Sequence, residues 1–272
     1  MQLMCDILEV SRSGFYAWRQ RPSSKRRERQ KQLLERIQAA HQQSRSIYGS
    51  PRIFQQLKDQ GIEVCENTVA RLMKKQGICS KTRRRFVVHT TDSNHQHPIA
   101  ANELEQDFSA RRLNECWCAD ITYVPTDEGW LYLAAVIDVC SRRIVGWAMA
   151  DHLKAELCIE ALEMALKQRT VERGLMHHSD RGCQYACGQY QALLKKHSIA
   201  CSMSRRGNCH DNALMESFFG KLKQELIHHQ RYKTRQQATA SIFEYIEVFH
   251  NRKRKHSSLG YLSPEAFEAT FN

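Results

Sequence analysis

Residues 117–150, WCADITYVPTDEGWLYLAAVIDVCSRRIVGWAMA, decide the fold. Three apolar runs, WCADITYVP, WLYLAAVIDV and RIVGWAMA, follow one another with only short turns between them. Bounded runs of this length, rich in β-branched and aromatic residues, read as strands. Asp127-Glu128-Gly129 supplies the turn chemistry for a tight hairpin between the first two. Downstream the periodicity changes. A helix is expected from Lys154 to Gln168, then a strand, GLMHHS, that stops at Ser179-Asp180-Arg181-Gly182. A helix from Cys187 to His197 and a short strand from Ile199 to Met203 come next. Beyond the loop SRRGNCHDN, one helix starts near Asp211 or Asn212 and reaches about His229, and another runs from Thr234 to His250. Consecutive strands followed by alternating strands and helices predict an α/β domain, a mixed sheet with helices on both faces.

Upstream the chain is of another kind. Of the formal net charge of +12 in 272 residues, residues 1–100 carry +11 (19 Lys/Arg against 8 Asp/Glu). Residues 101–272 carry +1 (22 against 21). A basic third joined to a nearly neutral remainder suggests a nucleic-acid-binding module beside something else; a merely solvated basic surface is the alternative. The stretch MCDILEVSRSGFYAWRQ has the rhythm of a partial helix-turn-helix. A charged helix is expected from Lys25 to Gln43. A better helix-turn-helix occupies about 48–79: a helix from Pro51 to Gln60 with Ser50 as N-cap, and a second from Asn67 to Gln76 closed by Gly77. The second helix carries Arg71, Lys74 and Lys75, and Arg83, Arg84 and Arg85 follow it; together they favour DNA over a hairpin that binds nothing. The reading divides the chain into a helical DNA-binding region (1–79), a polar linker (80–113), an α/β core (114–250) and a basic C-terminal tail (251–272).

Several classes are excluded. No apolar run approaches the ~20 residues that span a bilayer, so no membrane partner is expected. The N-terminus shows no signal-peptide pattern. Eleven cysteines without a CxxC pair read as reduced thiols of a cytosolic protein, several packing as small hydrophobes. His95 and His97 flank Gln96 with no suitably spaced cysteine pair, so no zinc motif is read.

Three carboxylates remain. Asp120 interrupts a strand, Asp180 ends another, and Glu216 rides a helix whose apolar face is Met215, Phe219, Leu222 and Leu226. Each alone has a plain reading: a strand Asp accepting backbone hydrogen bonds, a turn Asp, a solvated helix Glu. Together, delivered by two strands and a helix with 35 residues between the last two, they suit hard divalent cations acting on a phosphodiester. Gly220 and Lys223 lie on the same stripe as Glu216, which would let DNA approach and let Lys223 reach a phosphate.

The segments 117–149, HHSDRGCQY and SMSRRGNCHDNALMESFFGKLKQEL, with FHNRKRKHSSLGYLSPEAF and the helix-turn-helix at 48–79, resemble the large-frame (OrfB) subunit of insertion sequence 3 family transposases, which is related to retroviral integrases. The resemblance covers nearly the whole chain. It implies an RNase H-like fold with Asp120, Asp180 and Glu216 as catalytic metal ligands, and Lys223 at DNA near the element end. It also implies Mg²⁺, with Mn²⁺ as a substitute, and double-stranded DNA, both element ends and target, as substrate. A homo-oligomer on DNA, a small upstream-frame partner subunit and a bacterial cytoplasmic, nucleoid-associated setting belong to the same expectation. His210 stands where Trp is usual in that family, a departure bearing on loop packing. A nuclease of the same fold that never joins strands, and an inert DNA-binding regulator, are the alternatives.

Overall fold

A computed structural model describes residues 1–22, 24–81, 98–171, 173–205 and 209–271, the side chains of Cys209 and His210 excepted. The chain forms two compact units, Met1–Ser80 and Lys81–Asn272.

The first unit is helical. Helices α1 (Gln2–Ile7) and α2 (Arg12–Gln20) come first, and the Ser11 hydroxyl caps α2 by accepting from the Gly14 amide at 3.0 Å. Helix α3 (Lys25–Gln43) then packs with α4 (Ser50–Asp59) and α5 (Glu66–Lys75). Ile37, Ile53, Leu57, Val69, Leu72 and Met73 close the core between these three. Gly49 rather than Ser50 is the cap residue of α4, and Pro51 sits in its first turn, where a missing N–H costs nothing. Gly61 and Gly77, at φ +73° and +65°, take the left-handed turns that end α4 and α5. The expected helix-turn-helix is therefore built as the sequence read it.

The second unit is a five-stranded sheet in the order β3-β2-β1-β4-β5. The strands are β1 (Cys116–Thr126), β2 (Gly129–Asp138), β3 (Ile144–Ala150), β4 (Met176–Ser179) and β5 (Ala200–Met203). β1, β2 and β3 form an antiparallel meander, whereas β4 and β5 run parallel to β1. Gly129, at φ +106°, closes the two-residue hairpin turn at Asp127-Glu128. Alternate residues of β1, Trp117, Ala119 and Ile121, face a core shared with α6 (Ala155–Gln168), α7 (Cys183–Ala186) and α8 (Gly188–Lys196). Helices α9 (Ala213–Glu225) and α10 (Arg235–Phe243) also pack on the sheet, and α10 continues as π-helical turns over Glu244–His250. α11 (Pro264–Glu268) closes the chain.

Gly146 lets α6 approach the sheet. A Cβ there would lie 2.1 Å from the Ala161 carbonyl oxygen and 2.8 Å from the Ala165 nitrogen, both backbone atoms of that helix. Gly146→Ala is expected to push α6 off β3 and to cost at least ~1–3 kcal/mol, the scale of an overpacked core. Urea denaturation would show it; an unchanged midpoint would contradict the close approach.

Two stretches differ from the sequence reading. Residues 101–104, inside the expected linker, are docked on β5: Met203 donates to the Ala101 carbonyl at 3.2 Å, and the Glu103 amide donates to the Ser202 hydroxyl at 2.9 Å. The polar composition there serves a sheet edge. The expected basic tail is also folded in. The Asn251 side chain brackets the Ile144 backbone with two hydrogen bonds of 3.0 Å, blunting the edge strand β3. Glu268 of α11 accepts from Arg143 at 2.7 Å and pairs with Arg169.

Candidate active site

The parallel pairing of β1 with β4 sets Cys116, Trp117 and Cys118 against Met176, His177 and His178, and stops there. Asp120 follows on β1 two residues past the last pair, and Asp180 follows just past the end of β4, where its charge acts on Asp120. β1 continues to Thr126 beyond the end of this pairing, and Asp120 stands on that continuation. Asp120 is half-buried, and its Oδ1 accepts from the Ile121 amide at 2.8 Å. Asp180 leaves β4 in a tight turn, its Oδ1 accepting from the Gly182 amide at 2.9 Å. A Cβ on Gly182 would stand 2.9 Å from Gln184 Oε1 and 3.1 Å from that Asp180 oxygen, so glycine eases this close approach.

Helix α9 packs against β1 and buries Met215, Phe218, Phe219 and Leu222. All four expected face residues are thus buried as the spacing predicted, Leu226 at the C-cap, with Phe218 added. Glu216, in the first turn, remains exposed. Its charge reaches Asp120. Burial first, then the negative charges of Asp180 and Glu216, push the Asp120 carboxyl well above the usual carboxylate range; the Ile121 hydrogen bond and the Lys223 ammonium oppose them. Lys223 lies with Nζ 4.9 Å from the Tyr123 ring centroid, and burial lowers its affinity for a proton. The structure therefore brings Asp120, Asp180, Glu216 and Lys223 into one electrostatic neighbourhood.

Three of the other basic candidates belong to the first unit. Arg71, Lys74 and Lys75 are exposed on one face of α5, opposite the buried Val69, Leu72 and Met73. Arg83, Arg84 and Arg85 lie outside the described residues, as do His95, His97 and the side chain of His210.

The sequence reading missed two residues at the start of α9. Asp211 is fully buried and accepts from the Asn102 amide at 3.0 Å, the Gln106 amide at 2.8 Å, the Arg205 backbone at 2.7 Å and the Arg205 guanidinium at 2.9 and 3.1 Å. Chiefly the Arg205 hydrogen bond holds its carboxyl far below the usual range. Asn212 donates from Nδ2 to the Ala119 carbonyl at 3.1 Å. The only sequence signal was their place before a helix, where Asp and Asn are common as caps.

Whether these residues suit a divalent cation can be judged from their chemistry. Oxygen donors alone, with burial and the neighbouring negative charges raising Asp120, match a hard ion. Among the described residues no three His, Cys, Asp or Glu side chains are gathered round a single point. A divalent cation held by one or two carboxylates together with substrate oxygens would need no such cage. The donor set fits.

Comparison with known proteins bears on the whole chain. An integrase core domain model matches residues 110–209, another model of that description matches 216–270, and an HTH-like domain model matches 28–86. The insertion element IS600 31 kDa protein of Shigella sonnei is 45% identical over 269 residues, 99% of this chain and 98% of that one. Transposase InsF for insertion sequence IS3A of Escherichia coli strain K12 is 44% identical over 270 residues, 98% of this chain and 93% of that one. The chain belongs to the insertion sequence 3 transposase family. A solved retroviral chain, from the simian T-cell lymphotropic virus intasome, is similar with TM-score 0.49 at 13% identity, covering 85% of this transposase and 74% of its own length. The integrase core matches of this transposase include Asp120, Asp180 and Glu216, and the HTH-like match includes Arg71, Lys74 and Lys75.

Proposed function

We propose that this chain is a DNA transposase that nicks the ends of its element and joins the freed 3′ strand to target DNA, using Asp120, Asp180 and Glu216 as the residues that hold two Mg²⁺ ions. The observation that carries the reading is that the charges of Asp180, just past β4, and of Glu216, on α9, both act on Asp120 of β1. Family membership and the integrase core matches support DNA transposition as the activity. Integrase-type cores depend on divalent metal, which supports the cation; Mn²⁺ takes its place in the same oxygen donor set.

Bound there, the two ions would lower the pKa of the attacking oxygen and stabilise the leaving one. The chain's own residues supply the geometry. Asp120 and Asp180 hold one side from adjacent parallel strands, and Glu216 closes from α9. Burial and then the neighbouring negative charges raise the proton affinity of Asp120, and a cation held there would offset the second of these and favour its ionised form. Lys223 meets a phosphate beside the site, and Arg71, Lys74 and Lys75 bind duplex DNA from the helical unit. In the first displacement water attacks phosphorus and the 3′ oxygen leaves with a proton. In the second that 3′-hydroxyl attacks a target phosphodiester and the target's 3′ oxygen leaves. One phosphodiester forms for each one broken, so joining needs no outside energy source. The DNA-bound form is a homo-oligomer, and a small upstream-frame subunit is its partner.

The test uses labelled duplexes of the element's own end, uncut and with a pre-cleaved 3′-hydroxyl, with Mg²⁺. Wild type is expected to nick the first and join the second. Asp180→Asn and Glu216→Gln are each expected to lose both by about a thousandfold or more while binding DNA in EDTA as before. Hydrolysis without joining of the pre-cleaved end would make the chain a nuclease. DNA binding with no cleavage in Mg²⁺ or Mn²⁺ would make its core inert.

A further inference from the structure

We infer that Asp211 and Asn212 are positioning residues for the proposed site: they form a clasp that sets where Glu216 stands relative to Asp120. This rests on the reading of the acidic trio as the reacting centre.

The clasp has two arms. Asp211 is fully buried and gathers donors from two parts of the chain, Asn102 and Gln106 on the segment docked at β5 and Arg205 just after that strand. This arm ties the start of α9 to the β5 edge of the sheet. The second arm crosses to the middle of the sheet, where the Asn212 amide donates to the carbonyl of Ala119, the residue before Asp120. The bonded carbonyl lies past the last β1–β4 pair, on the strand segment where that pairing has ended. A side chain from α9's threshold thus takes over the carbonyl at the one place where β1 turns from paired strand to active-site shelf.

Stability alone does not explain Asn212. Its Oδ1 is buried and has no hydrogen-bond partner among the described residues, an arrangement that an apolar side chain would avoid. Its Nδ2 contact, by contrast, joins the two elements whose carboxylates must meet. Glu216 is four residues further on, one helical turn above Asn212, so a shift at the helix start is passed directly to the carboxylate. Ligand constellations lose function when supporting residues allow displacements of an ångström or less.

The experiment compares wild type with Asn212→Ala, Gln106→Glu and Glu216→Gln in the full chain. Gln106→Glu sets a carboxylate against Asp211 from an exposed position, where folding is not at stake. Asn212→Ala is expected to slow nicking by about 10–100-fold, the range of lost outer-shell partners of metal ligands. It should raise the Mg²⁺ concentration needed for half-maximal rate, and Gln106→Glu should do the same more weakly. Hydrogen exchange read without metal or DNA should show the amides of the first turns of α9 exchanging faster in Asn212→Ala, with β1 and β2 unchanged. DNA affinity in EDTA and thermal midpoint should stay near wild type. Wild-type rate, metal dependence and α9 protection in both variants would overturn the clasp. Loss confined to the midpoint, with no change in metal dependence, would make it merely structural and overturn the inference equally. If Glu216→Gln nicks at the wild-type rate, it is the reading of the acidic site that fails instead.

Discussion

Asp120→Asn is expected to abolish nicking and joining and, in metal-free buffer near neutral pH, to make the protein more stable. The two effects have one cause. Asp120 is held among negative neighbours and away from water, so its carboxyl binds a proton more tightly folded than unfolded. Below the unfolded carboxylate value both states are protonated and the residue's favourable contribution is fully present. As pH rises through the raised folded value that contribution is lost, because the native state must then carry a charge it disfavours. Asparagine keeps the shape and carries no charge. The thermal midpoint of the variant should therefore exceed that of wild type in EDTA at about pH 8, and the gap should shrink toward about pH 4. Mg²⁺ should reverse the order, since an ion bound only by the native state stabilises it by mass action and the variant lacks the ligand. Strand cleavage should fall by a thousandfold or more. A variant less stable than wild type in EDTA at the higher pH, or equally stabilised by Mg²⁺, would contradict the electrostatic account.

Arg254→Ala is expected to destabilise the second unit by ~3–5 kcal/mol, the largest single effect away from the carboxylates. Arg254 is 1% exposed. Its Nε donates to Glu225 at 2.9 Å, and Nη2 holds the other oxygen of the same carboxylate. The Tyr245 hydroxyl donates to Glu225 at 2.7 Å, and His256 meets Nη1 at 3.3 Å. Removing the guanidinium strands a charged Glu225 at the end of α9. The double variant Glu225→Gln/Arg254→Met should recover much of the loss, because a desolvated ion pair adds little net stability over neutral groups of similar volume. Denaturation of the three proteins checks this. A single-variant cost below about 1 kcal/mol would mean that the pair is solvated, like a surface salt bridge.

Arg254 also shows where sequence reading stops. In NRKRKH it looks like one more solvated cation, and its neighbours Arg252 and Lys253 are exposed. Its partner lies 29 residues away, so no local pattern announces the burial. The docked segment at 101–104 escaped for the same reason, its acceptors being on β5. By contrast the meander, the α9 face and the helix-turn-helix were legible, because periodicity and turn residues are local signals. Of the site, the acidic residue types and their spacing were readable, but not what brings them together. The β1–β4 register and the Asn212 bond are pairings between distant segments.

The unequal pairing of β1 has a mechanical meaning. β2 grips it along ten register positions and β4 along three. Asp120 therefore rides on a strand gripped along nearly its whole length by one neighbour, whereas Asp180 stands just past the end of a four-residue strand. In the proposed site the compliance would lie with Asp180, and Asp120 would be the fixed reference to which it moves.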